Sequence, residues 1–133
     1  MVIDSSAFVA ILGGEPEQKV FIEAILADPT RIAGAATVFE ASVVILSRWG
    51  EPGLGHFRAF CSRAAIETAG FQAEQVDVAI EAFRRFGKGR HPAGLNFGDC
   101  FSYALAKVTG EPLLFKGGDF SQTDVKRAVD CGE

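Results

Sequence analysis

The chain has 133 residues, 48% of them apolar and 23% charged, with a net charge of −4. This composition excludes disordered and collagen-like chains, and no apolar run approaches the ~20 residues that cross a bilayer. What is left is one soluble domain long enough to bury a core, and its acidic balance means that any nucleic-acid contact must come from local charge.

The opening MVID is a short apolar run ending in an acid, which predicts a buried strand closed by Asp4. Asp4 and the lack of a basic leader argue against reading MVIDSSAFVAILGG as a signal peptide, so a cytoplasmic protein with no membrane association is expected. Ser5 or Ser6 is expected to cap a helix AFVAILGG, which Gly13-Gly14 closes. Pro16 opens a second helix with Val20, Phe21, Ala24 and Ile25 on one face, and Asp28-Pro29 ends it. These two amino-end helices carry Phe8, Ile11, Leu12, Phe21 and Ile25, read as core more than as an interface. RIAGAA reads as a second strand, followed by a helix TVFEASVVILSRW that stops at Gly50 and Pro52. GLGHFRAFCSRA reads as a fourth helix and AIETA as a third strand.

FQAEQVDVAIEAFRRFGKG is strongly amphipathic, with Val76, Ala79, Ile80, Phe83 and Phe86 on one side. GRHPAGL is a loop of breakers. LNFGDCFSYALAK is a helix ending near Gly110, EPLLFKGG a strand, and SQTDV a turn or short helix. Strands separated by helices predict an α/β fold: a single domain over residues 1–133, its parallel sheet flanked by helices on both faces. In such sheets the ligand crevice lies beyond the carboxyl ends of the strands.

Four acids fall at boundaries that can face that edge. Asp4 ends the first strand, Glu40 lies in the first turn after the second, Asp99 opens its helix, and Asp119 follows LLFKGG. Asp99 shares a helix face with Ser102, Tyr103 and Ala106. Each acid also has a local structural explanation. Thr37 and Glu40 have the spacing of a capping box, Asn96 and Asp99 that of a weaker one, Asp4 can cap the first helix, and Asp119 can end a turn. Together they point elsewhere: two carboxylates about 4 Å apart repel by about 4 kcal/mol at an effective dielectric of 20 unless a cation or proton compensates. Carboxylate oxygens without His or Cys suit Mg²⁺, or Mn²⁺, and such an ion can activate water and bind phosphate. The helix start is expected to keep Asp99 ionised, and Gly98 to leave room for an approaching phosphate backbone.

Cys61, Cys100 and Cys131 are odd in number and far apart, with no CxxC pair or Cys/His cluster, which argues for reduced thiols and against zinc. Residues 82–98 hold Arg84, Arg85, Lys88 and Arg90 and no acid, so this +4 window leaves −8 on the rest. A basic strip beside acids suits a phosphate-bearing ligand, and equally a solvated helix end.

MVIDSSA, Glu40 after the second strand, NFGDCFSYALAK and LLFKGGDF together resemble the PIN-domain family, most closely its VapC-type toxin ribonucleases of type II toxin–antitoxin pairs. The resemblance covers nearly the whole chain. It implies a Mg²⁺-dependent endoribonuclease, a homodimer, and inhibition by a cognate antitoxin protein. Carried over to this sequence, it makes Asp4, Glu40, Asp99 and Asp119 the catalytic acids, with Asp4 and Asp99 holding the metal. Ser5 and Ser6 stand where hydroxyl contacts to the site are expected, and Arg84, Arg85, Lys88 and Arg90 would draw in the RNA backbone. Gly118 departs from the polar residue expected before the last acid, which puts direct ligation by Asp119 in doubt. A phosphoacceptor signalling domain, with Lys116 as its lysine, and a non-catalytic PIN-fold RNA-binding module are the alternatives. The former lacks the adjacent acids it needs after the first strand.

Overall fold

The computed structural model describes residues 1–130. Four short strands, β1 (Val2–Ile3), β2 (Ile32–Gly34), β3 (Glu67–Ala69) and β4 (Leu113–Leu114), pair in parallel in the order β3-β2-β1-β4. Five helices connect them: α1 (Ser5–Leu12), α2 (Gln18–Ala27), α3 (Ala35–Arg63), α4 (Ala73–Phe86) and α5 (Phe97–Thr109). A 3-10 turn, Phe120–Gln122, follows β4. The α/β class read from the sequence holds. The strands are shorter than their apolar runs, because Ala35 and Ala36 join α3 and Gly117, at φ +103°, turns the chain after β4.

The strand order explains where the helices go. From β1 the chain steps to β2 and β3 in one direction, then returns across the sheet to β4 on the other side of β1. Right-handed crossovers in opposite directions put their helices on opposite faces. Adjacent strand residues accordingly enter different cores. Ile3 and Leu114 pack with Phe8, Phe21, Ile25, Ile45 and Phe57, while Val2 and Leu113 pack with Ala82, Phe86, Tyr103 and Leu105. Phe8 and Phe57 meet edge-on with centroids 5.0 Å apart. Phe8, Ile11, Phe21 and Ile25 are buried and Leu12 is partly so, which makes the amino-end helices core as expected. The reversal beside β1 is the topological switch point, and the crevice belongs at its carboxyl end.

The two helices expected on either side of Gly50 run as one element with a break. Gly50 has φ +67° and ψ −164°, a conformation open essentially to glycine alone, and Pro52 follows. α4 departs more from expectation. It buries Gln75, Ala82 and Phe86, while Val76, Ile80 and Phe83 of the predicted apolar side remain exposed. With Phe71, Phe97 and Phe101 they line an open groove of about 620 Å³. Among the described residues no helix is long and apolar enough to cross a membrane. Cys61 and Cys100 are free thiols, burial pushing that of Cys61 up to about 11, and Cys131 lies outside the described residues.

Gly50→Ala is expected to lower unfolding stability by ~1–3 kcal/mol through backbone strain alone, since nothing crowds the added methyl closer than Pro52 Cδ at 3.7 Å. Urea denaturation measures it; an unchanged midpoint would show that the break does not need glycine.

Candidate active site

β1 stops at Ile3, and Asp4 continues in extended geometry (φ −82°, ψ 159°) as the N-cap of α1. The cap is therefore Asp4 and neither Ser5 nor Ser6, because a short carboxylate at this position reaches the second backbone N–H of the helix. Asp4 is 2% exposed, yet three donors converge on it. Oδ2 accepts from Ser6 N at 3.0 Å and Ser6 Oγ at 2.7 Å, and Oδ1 accepts from Ser102 Oγ at 2.6 Å. Ser6 Oγ also accepts from the backbone N–H of Lys116 at 3.0 Å, which ties the end of β1 to the end of β4.

Glu40 comes from the second turn of α3. The expected Thr37–Glu40 capping box is absent, because α3 starts at Ala35 with Gly34 as its N-cap, so Thr37 already lies inside the first turn. Thr37 Oγ1 instead sits 3.3 Å from Ser102 Oγ, and Glu40 Oε1 accepts from Ser5 Oγ at 3.0 Å. The other carboxylate oxygen of Glu40 lies over Gly98, where a Cβ would stand 2.4 Å from it. The space that Gly98 leaves is thus filled by Glu40, not by an approaching phosphate.

Asp99 forms a full capping box with Asn96: Asp99 N donates to Asn96 Oδ1 at 2.9 Å, and Asp99 Oδ2 accepts from Asn96 N at 3.0 Å. Capping and a place in the acidic cluster therefore coexist. The carboxyl is raised from its ordinary 3.8 to about 7. Burial is the main cause; the bond from Asn96 pulls the other way, and the charges of Asp4, Asp119 and Glu40 add to the rise. This overturns the expectation that the helix start keeps Asp99 ionised: a terminal dipole is weaker than desolvation among like charges.

Asp119 is exposed at the start of the 3-10 turn and makes no capping bond through its side chain, although its charge is felt at Asp99. The hydroxyls of Ser5 and Ser6 are spent on Glu40 and Asp4. In the basic strip Arg84 pairs with Glu81, while Arg85 and Lys107 share Asp124, which also accepts from Tyr103 Oη. Arg85 lies over the ring of Phe86 and Arg90 over that of Phe83; Lys88 is exposed. The site residues that sequence reasoning missed are Thr37 and Ser102. The available signal was Ser102 on the Asp99 face of its helix, one turn on.

The PIN-domain model matches residues 1–126. The chain belongs to the PIN-domain family. It is 53% identical over 125 residues to a ribonuclease VapC of Mycolicibacterium smegmatis, covering 94% of this chain and 97% of that protein. It is 50% identical over 125 residues to the VapC ribonuclease Mb0640 of Mycobacterium bovis, covering 94% and 95%. Among solved structures it resembles Mycobacterium tuberculosis VapC20, described as a sarcin-ricin loop cleaving toxin, with a TM-score of 0.74, 16% identity, and 93% and 95% of the two chains covered. That likeness supports the fold.

Whether this PIN domain suits a divalent cation can be judged from its own side chains. Among the described residues, no ion pair involves Asp4, Glu40, Asp99 or Asp119. Among the described residues Asp99 Oδ1 and Glu40 Oε2 accept no hydrogen bond, and Asp4 Oδ1 accepts one. The donor set is hard oxygen throughout, which fits Mg²⁺ or Mn²⁺. No three Asp, Glu, His or Cys side chains among the described residues converge on one ion position, so an ion held by Asp4 and Asp99 would complete its shell with water, as Mg²⁺ commonly does.

The folded Asp99 keeps a proton that the unfolded chain loses near 3.8, so its contribution to stability without metal falls as pH rises from about 4 to about 7. Asp99→Asn removes that dependence, and thermal melting in chelator should show the parent losing ground to the variant across this window; parallel curves would refute it. Gly98→Ala should fold normally, because Glu40 can swing its flexible end away, yet it should lose activity, as Glu40→Gln should. Parent-level cleavage by a folded Gly98→Ala protein would show that the placement of Glu40 is unimportant.

Proposed function

We propose that the chain is a divalent-metal-dependent endoribonuclease, the toxin of a type II toxin–antitoxin pair. The observation that carries the proposal is the meeting of Asp4, Glu40 and Asp99, from three separate elements, at the carboxyl end of β1 without an ion-pair partner among the described residues. The relatives named VapC ribonuclease support the activity, and their naming as VapC supports pairing with an antitoxin protein. A twin subunit and a cytoplasmic setting belong to the same proposal.

Asp4 and Asp99 would hold Mg²⁺ or Mn²⁺, with Asp119 as an outer acid. The ion, when bound, would polarise a phosphoryl oxygen and lower the pKa of water. Glu40 has one oxygen fixed by Ser5 and the other, among the described residues, without a hydrogen-bond donor, so it can orient water and take its proton. Lys88 and Arg90, with Arg84 and Arg85 where their acidic partners release them, would attract RNA phosphates in a salt-dependent way. The phosphoacceptor alternative loses support. Its expected lysine, Lys116, is bound to Glu15 and lies 3.3 Å from Glu17, and among the described residues it forms no ion pair with the Asp4 cluster.

RNA cleavage should require added Mn²⁺ or Mg²⁺ and stop in chelator. Glu40→Gln should lower the rate by ~10²–10⁴-fold, as loss of a general base does. Asp99→Asn should abolish cleavage while remaining folded. Full activity in chelator, or in a folded Asp99→Asn protein, would overturn the proposal.

A further inference from the structure

We propose that Ser102, itself held by Thr37, is a positioning residue that sets the Asp4 carboxylate for metal binding. The proposal rests on the metal-site reading above and names what orients its most buried acid. A serine or threonine within a helix can turn its hydroxyl back to the carbonyl four residues earlier. Ser42 and Thr109 do so here, donating to Val38 O and Leu105 O at 2.7 Å. Ser102 does not: its hydroxyl donates out of α5 to Asp4 Oδ1 at 2.6 Å.

A hydroxyl has one proton. Since Ser102 gives its own to Asp4, Thr37 Oγ1, 3.3 Å away, must be the donor in the contact between the two hydroxyls. The relay therefore runs one way, from Thr37 on α3 through Ser102 on α5 to Asp4 after β1. Those elements also carry Glu40, Asp99 and Asp4. Thr37 is 2% exposed and Ser102 1%, so no solvent competes for either hydroxyl.

The count of lone pairs identifies the oxygen that matters. Ser6 N and Ser6 Oγ together fill the acceptor capacity of Asp4 Oδ2, whereas among the described residues Oδ1 accepts only from Ser102 and keeps one lone pair. Ser102 thus grips the one Asp4 oxygen left for a ligand, and the relay fixes α3 against α5 so that Glu40 and Asp99 meet beside it.

The test is Mn²⁺ titration by calorimetry on metal-stripped protein, with thermal melts to check folding. Ser102→Ala should weaken Mn²⁺ by ~10–100-fold, the range seen when a partner of a metal ligand is removed. Thr37→Val, nearly isosteric, should weaken it less but in the same direction, and Thr37→Ser, which keeps the hydroxyl, should bind as the parent does. Should Ser102→Ala fail to fold, the Thr37→Val and Thr37→Ser pair decides: equal affinities overturn the relay. A folded Ser102→Ala protein with parent affinity, beside an Asp4→Asn protein that has lost it, overturns the positioning role and leaves the metal centre standing. Parent affinity in Asp4→Asn overturns both.

Discussion

Burying a carboxylate at the end of the central strand is the constraint around which this molecule is arranged. An isolated charge removed from water is costly, and the cost falls only when hydrogen-bond donors replace the lost solvent. Asp4 meets that need with one backbone N–H and two hydroxyls, one hydroxyl from its own helix and one from α5, 98 residues away. Satisfying Asp4 therefore helps fix how α5 lies over the sheet. It also links β1 to β4, because Ser6 bonds both Asp4 and the backbone of Lys116. The topology supplies the place for this: β1 lies where the chain reverses direction across the sheet, the point at which open parallel sheets bind their ligands.

Asp99 shows how a structural role and a chemical one share a residue. Its capping box with Asn96 orders the first turn of α5 through one carboxylate oxygen and leaves the other without a donor among the described residues. Capping does not remove the electrostatic cost, since burial and three neighbouring acids still hold a proton on the group up to about pH 7. Glu40 follows the same plan, with one oxygen fixed by Ser5 and the other over Gly98. In each acid the protein occupies one side of the carboxylate and leaves the other available. This is the arrangement that pre-organises a ligand without filling its coordination.

What could be read from the sequence was whatever depends on near neighbours along the chain. The strand-end position of Asp4, the helix-start position of Asp99 and the alternation of strands with helices are local patterns, and the resemblance of NFGDCFSYALAK and LLFKGGDF extended them to a family. What failed to show depends on residues distant in sequence. The spacing of Thr37 and Glu40 matches a capping box, but helix formation at Ala35 moved the cap to Gly34 and freed both side chains for partners elsewhere. The glycine at position 98 was legible as small, and not as the seat of Glu40. For α4, periodicity found an amphipathic helix but not which side α5 would cover, so Val76, Ile80 and Phe83 line an open groove. The protonation of Asp99 was misjudged for a related reason: a helix dipole is a local effect, whereas burial and the pull of other acids are tertiary.

The distribution of the protein's own cations completes the electrostatic argument. Lys116 follows β4 close to the site in sequence, and it is committed to Glu15 and Glu17. Arg85 and Lys107 converge on Asp124, and Arg84 on Glu81. A lysine turned into the acidic crevice would stabilise the empty fold and would also occupy the position that a cation needs. Among the described residues no basic side chain forms an ion pair with Asp4, Glu40, Asp99 or Asp119, so compensation at the crevice is left to a proton on Asp99 or to an ion from solution. These two compete for the same negative charge, so any ion that binds there must displace the proton, and affinity should rise with pH through the range where Asp99 titrates.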